Sequence, residues 1–270
     1  MCCQNGIPSD AAGTTDVAGK MISEIWGEDA ITPEIVTGDR ITRAKDVINF
    51  FFKTKAMPIE VGIAVAGVWC AESGINTKAY NRAEKNNGYA FRDKHAPDAR
   101  TFKYNGKTYY YDQATMMKFG YGKGVAQWSW DRNLKFRDWY NSSNGVKTDG
   151  ITRMDDDAAN ITGTSVTTQT AFAWEEMQKR TGEFLTTVNG IITATDLETF
   201  QKNIIILVDA VLRGYENGSV RKMASTTQID KYTWSGGYSG SMKKRVSSAL
   251  GIAEAIKNDS EYSSSLIFLQ

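Results

Sequence analysis

Residues 57–74 read MPIEVGIAVAGVWCAESG, a nearly uncharged run that ends on a carboxylate. Glu60 is the only charge before Glu72. Pro58 suits a first helical turn, Glu60 complements the positive end of the helix dipole, and Gly74 suits a helix stop. At about 100° per residue, Val61, Val65, Val68 and Glu72 share one stripe, with Trp69 beside it. The other positions are mostly Ala, Gly, Ile and Cys, so this helix is expected to be buried on most sides. Glu72 then continues an apolar face in the last turn. Burial and the negative helix end would each favour its neutral form, as a general acid requires. The alternative is a solvated glutamate at a frayed helix end.

Working outward, residues 39–54 (DRITRAKDVINFFFKT) carry apolar side chains at helical spacing: Ile41, Ala44, Val47, Ile48, Phe51 and Phe52. Downstream, TFKYNGKTYYYD (101–112) has Asn105-Gly106 between β-prone runs, the signal of a tight hairpin. GYGKGVAQWSWDRNLKFRDWY (120–140) opens with glycines and turns helical. Three more helical patterns follow, in VTTQTAFAWEEMQKRT, in TDLETFQKNIIILVDAVLRGYENG and in GSMKKRVSSALGIAEAIKN; in the second, Thr195 and Glu198 have the spacing of a capping box. The expected fold is mainly α (α+β), a helical domain over 39–257 with a small β-hairpin insertion. Residues 1–38 read as a flexible or docking segment and 258–270 as a C-terminal tail.

Composition narrows the function. The chain has 270 residues, 41% hydrophobic and 23% charged, as in an ordinary globular protein. A net charge of +1 gives no global field toward nucleic acid or membrane. There is no long apolar run that would span a membrane and no secretory leader pattern. The three Cys lack a disulfide framework, and with a single His, His95, no zinc ligand set is spelled out. No metal or cofactor is implied. A Cys70–His95 nucleophile pair is disfavoured, because a thiol inside an apolar helix is ordinarily inert.

Two stretches carry a resemblance. IAVAGVWCAESGIN (63–76), with Glu72-Ser73-Gly74 at a helix end, is followed some fifty residues later by KGVAQWSWDRNLKF (123–136). This order resembles the lysozyme-like superfamily of goose-type lysozymes and soluble lytic transglycosylases, and most closely the phage tail lysozyme family. TQTAFAWEEMQ (168–178), VDAVLRGYENGS (208–219) and SMKKRVSSALGIAEAI (241–256) extend the resemblance from about 39 to 256. It implies a lysozyme-like fold and a muramidase acting on peptidoglycan glycan strands, with Glu72 as proton donor to the glycosidic oxygen. Ser73, Gln127, Trp128, Tyr215 and Asn217 would contact substrate, Trp128 by stacking on a sugar face. Capping and packing remain the alternatives for these polar and aromatic residues.

The second carboxylate stays open. Inverting glycosidases place two carboxyls about 6.5–9.5 Å apart and retaining ones about 5–5.5 Å. Glu84 and Asp93 are the first candidates, with Asp98, Asp112 and Asp131 behind them. If none serves, the resemblance allows a lytic transglycosylase, in which the sugar's own hydroxyl attacks and an anhydro product forms. A non-catalytic virion structural or glycan-binding module on the same scaffold is the third reading. The family also implies a place in the phage virion, on the tail, with other tail proteins as partners and action at the host cell wall. An endolysin would fit the missing leader equally well.

Overall fold

A computed structural model of the chain describes residues 32–79, 101–110, 122–142, 149–154, 161–180, 182–216 and 237–270. Among these it has seven α-helices: α1 (Asp39–Asn49), α2 (Ile59–Ser73), α3 (Asp131–Asn141), α4 (Val166–Arg180), α5 (Gly182–Gly190), α6 (Leu197–Val211) and α7 (Gly237–Ile256). One antiparallel hairpin, β1 (Thr101–Tyr104) with β2 (Lys107–Tyr110), stands between α2 and α3. The mainly helical expectation and the hairpin are both borne out. Within the described residues, no helix is long and apolar enough to cross a membrane.

α2 is the axis of the fold. Every residue from Ile59 to Cys70 is buried, and α1, α6 and α7 pack around it. Its glycines let backbones approach. A Cβ on Gly62 would lie 2.7 Å from the Ile48 Cα of α1, and one on Gly67 2.4 Å from the Ala249 Cβ of α7. We expect Gly67→Ala to destabilise by about 2–3 kcal/mol, because α2 and α7 must separate to admit the methyl. Ala249→Gly added to it should recover only part, since the Ala249 backbone itself lies 2.7 Å from the new atom. Urea unfolding of the single and double variants measures both values.

The ends of α2 are set locally. Pro58 precedes the first turn, and Gly74 closes the last in the left-handed region at φ 66°. Gly74 N–H donates to Cys70 O at 2.9 Å, and Ile75 N–H reaches back to Trp69 O at 3.2 Å. Glu60 does more than complement a dipole. It is 2% exposed, and its Oε1 accepts from Ala194 N (3.0 Å) and Asn203 Nδ2 (3.3 Å), tying α2 to the turn before α6 and to α6 itself.

Two details differ from the sequence expectation. The cap of α6 is Asp196, whose carboxylate accepts from Thr199 N at 2.7 Å, and the proposed Thr195–Glu198 box does not provide it. α1 and α6 also do not end as regular helices: each runs into a π-helical turn, Phe50–Thr54 and Leu212–Glu216.

The hairpin turn at Asn105-Gly106 has both residues at positive φ, 46° and 75°, as a two-residue turn demands. Phe102 and Tyr109 stack across the strands at 5.2 Å. Tyr104 Oη donates to Asp138 Oδ2 at 2.6 Å, which fastens the hairpin to α3.

Both flanks of the 39–257 span also contact it. Glu34 N donates to Ser247 O at 3.0 Å on α7, and Val36 is buried. At the other end Tyr262 is fully buried and donates to Asn49 Oδ1 at 3.0 Å, while Asp259 pairs with Lys45.

Candidate active site

Three hydrogen bonds join segments that are far apart in the chain. Ser73 Oγ, at the end of α2, lies 2.8 Å from Val125 O and 3.1 Å from Trp69 O. Trp128 Nε1 lies 3.0 Å from Tyr215 Oη. Trp69 Nε1 donates to Glu216 Oε1 at 2.7 Å. The end of α2, the turn before α3 and the π-turn after α6 therefore meet at one place, as the order of the sequence motifs implied.

Residues 123–128 form a tight turn closed by an isolated bridge, with Lys123 and Trp128 exchanging backbone bonds of 2.9 and 3.0 Å. Gly124 has φ +73°, and a Cβ there would stand 2.5 Å from Gln169 Oε1. That oxygen accepts from Val125 N at 2.9 Å, so only glycine lets the turn sit against α4. Gln127 adopts φ 50°, and its Nε2 donates to Gly124 O at 2.8 Å. Its amide thus closes the turn from inside.

Behind the turn lies a polar network in apolar surroundings. Glu176 of α4 accepts from Trp128 Nε1 (2.7 Å), Tyr215 Oη (2.9 Å), Arg132 Nε (3.2 Å) and Arg132 Nη2 (2.8 Å). The Arg132 guanidinium also lies over the Tyr215 ring, 4.8 Å from its centroid. Burial works against the Arg132 charge, but the Tyr215 oxygen and the Glu176 carboxylate outweigh it and hold its pKa above the ordinary value. Burial, then the Glu176 charge, raises the Tyr215 hydroxyl well above a free tyrosine.

Neither Gln169 nor Glu176 was assigned a role from the sequence. A signal was present. Gln169, Phe172, Ala173 and Glu176 occupy one face of α4 at helical spacing, and two polar residues on a buried face need partners.

Glu72 corrects one expectation. It is not held in an apolar pocket: its side chain is 29% exposed at the end of α2, and its Oε1 pairs with Arg245 Nη2 of α7. The stripe that continues from Val68 runs out of the core at this turn. Arg245 is itself mostly buried, which pushes its guanidinium down to about 10, still charged at neutral pH. Further cations surround the helix end: Lys244 Nζ donates to Ala71 O at 3.3 Å and Arg43 Nη2 to Gly74 O at 3.3 Å.

Trp128 corrects a second. It is fully buried, as is Trp69, and it packs on Phe136 and Phe172 at 5.6 Å each. A ring enclosed in this way has no face to offer a sugar. Trp130 is half-buried, with φ 53° and an edge contact to Phe102 at 6.0 Å, and Tyr110 is 37% exposed. Tyr215 is 1% exposed, enclosed behind the turn with its hydroxyl on Glu176.

Of the other candidates, Asp131 is a surface residue paired with Lys135 at 2.8 Å. Glu84, Asp93, Asp98, Asp112, His95 and Asn217 lie outside the described residues. Cys70 is buried, and burial, then Glu34, raises its thiol pKa, the opposite of an activated nucleophile. Among the described residues, no cluster of three or more His, Cys, Asp or Glu side chains could hold a metal ion.

Lys123 provides a pH test of the turn. It is 8% exposed, and burial pushes its ammonium from 10.5 down to about 8. Between those values the unfolded chain binds more protons, so stability rises with pH across that window. The penalty is fully present below about 8. We expect Lys123→Met to melt about 2–4 °C above wild type at pH 7, and the gap to close by pH 10. Scanning calorimetry at the two pH values measures it.

The chain matches the family described as phage tail lysozyme over residues 42–235. The match stops short of α7, which carries Arg245. No curated protein and no solved structure gives a significant match.

Proposed function

The chain belongs to the phage tail lysozyme family, and from that premise we propose that it is a muramidase cleaving the MurNAc–GlcNAc β-1,4 bond of peptidoglycan. Membership implies a lysozyme-like, peptidoglycan-degrading activity; the bond and the residues are our assignment. The observation that carries it is the Ser73 Oγ–Val125 O contact of 2.8 Å, which sets Glu72 beside the 124–127 turn at the solvent edge. An acid that meets a polymer from solution must stand at such an edge, and Glu72 is the carboxylate at the end of α2 that does so.

In this mechanism Glu72 gives its proton to the glycosidic oxygen as the bond to the anomeric carbon breaks. The Arg245 pair describes the resting site. Bound glycan would lengthen it, freeing Glu72 to carry the proton. Gln127 and Trp128 act by shaping the turn, whose solvent side would face the sugar next to the scissile bond. The biological role we propose is local opening of the host cell wall by a virion-associated tail enzyme.

Mass spectrometry of the products from purified peptidoglycan tests the reaction. New reducing ends at muramic acid support the hydrolase. Anhydro-muropeptides would replace it with a transglycosylase. Absence of any cleavage, with binding retained, would make the chain a glycan-binding module. Detection of the chain in purified phage particles tests the location.

A further inference from the structure

We infer that Glu216 is the second carboxylate of the site, the base that takes a proton from the attacking water. The inference rests on Glu72 being the acid of a glycosidase. Glu216 is the last residue of the π-turn after α6, half-buried, with its Oε1 held by the Trp69 indole N–H at 2.7 Å. Trp69 and Glu72 are three residues apart on α2 and so neighbours on one helix face. Helical side chains lean toward the N-terminus, so the Glu72 side chain lies over the turn that carries Trp69. Both carboxylates are thereby brought to the same indole, one by covalent position and the other by its hydrogen bond.

The π-turn is firmly placed. Tyr215, the preceding residue, is locked to Glu176 and Trp128 by bonds of 2.9 and 3.0 Å, and Trp128 closes the 123–128 turn. Glu216 thus stands by the end of α2, on an element tied to that turn. A carboxylate that accepts from an indole N–H is oriented by that bond, as a base must be. Asp131, the described alternative, is already committed to Lys135 at the surface.

The step balances. Glu72 protonates the glycosidic oxygen, and the bond from that oxygen to the anomeric carbon breaks. Water forms the new bond to that carbon, and its proton passes to Glu216.

Glu216→Gln is the first test, because the amide oxygen can still accept from Trp69 while the charge is gone. Turnover should fall by about 10²–10⁴-fold with KM nearly unchanged, and the acid limb of the pH–rate profile should disappear. Glu216→Ala with added azide is the second. Azide should restore cleavage and yield an α-glycosyl azide, an outcome no purely structural role predicts.

Retention of more than half the wild-type turnover in Glu216→Gln would overturn the inference. So would a loss accompanied by a large fall in Tm and no azide product in Glu216→Ala. Anhydro products from the wild type would also end it, since no water then needs a base, while Glu72 would keep its place as the acid. If Glu72→Gln is as active as wild type, the assignment of the acid fails, and this result is separate from anything seen at Glu216.

Discussion

Glu72→Gln should reduce release of muropeptides from purified peptidoglycan by about 10²–10⁴-fold, the usual worth of a positioned general acid. Glutamine is nearly isosteric but has no proton to give at the glycosidic oxygen. The fold should persist. Glu72 lies at the end of α2, outside the run from Ile59 to Cys70 that makes the core, and among the described residues its carboxylate pairs with Arg245. Losing that partner leaves a largely buried guanidinium facing a neutral amide, at a cost of about 1 kcal/mol because the Glu72 side of the pair is open to water. In a chain of this size that corresponds to roughly 2–4 °C in Tm. Full activity in the variant would remove Glu72 from the chemistry, and a collapsed melting curve would show the residue to be structural.

Arg132→Met should have the largest effect on stability. The arginine and Glu176 are 13% and 10% exposed, and two hydrogen bonds join them. With the guanidinium gone, Glu176 stays buried with only the Trp128 and Tyr215 donors, and breaking such a pair from one side costs about 3–5 kcal/mol. Arg132→Met with Glu176→Leu should fall short of the sum, because no charge is then stranded. It should not reach wild type, since Trp128 Nε1 and Tyr215 Oη lose their acceptor. Chemical denaturation of the two variants decides this, and a loss under about 1 kcal/mol for Arg132→Met would mean that water replaces the guanidinium. Because the network holds the π-turn, Arg132→Met should also lower activity beyond its loss of folded protein.

Much of the fold was legible because its signals are local. The apolar run at 59–70 could only be a wrapped helix, Asn105-Gly106 could only reverse a hairpin tightly, and Gly74 marked where α2 ends. The motif order pointed to Glu72 and to the 122–128 turn. What the sequence does not show depends on neighbours from elsewhere in the chain. Helical projection placed Glu72 on an apolar stripe, but projection does not say where the covering elements stop. The motif position of Trp128 suggests a sugar platform, yet its exposure is decided by Phe136, Phe172 and Glu176. Glu216 sits between Tyr215 and Asn217 without a signal of its own, because a glutamate in a polar turn has no local mark of function.

By itself, then, the sequence determined the helices, the hairpin and the family, since each is written in periodicity, turn chemistry or a contiguous motif. Only the tertiary structure decided what those residues face. It set Arg245 of α7 against Glu72 and tied Glu216 to Trp69, across separations of 173 and 147 residues. Partners so distant leave no periodic trace, because the chain between them encodes its own packing and not theirs.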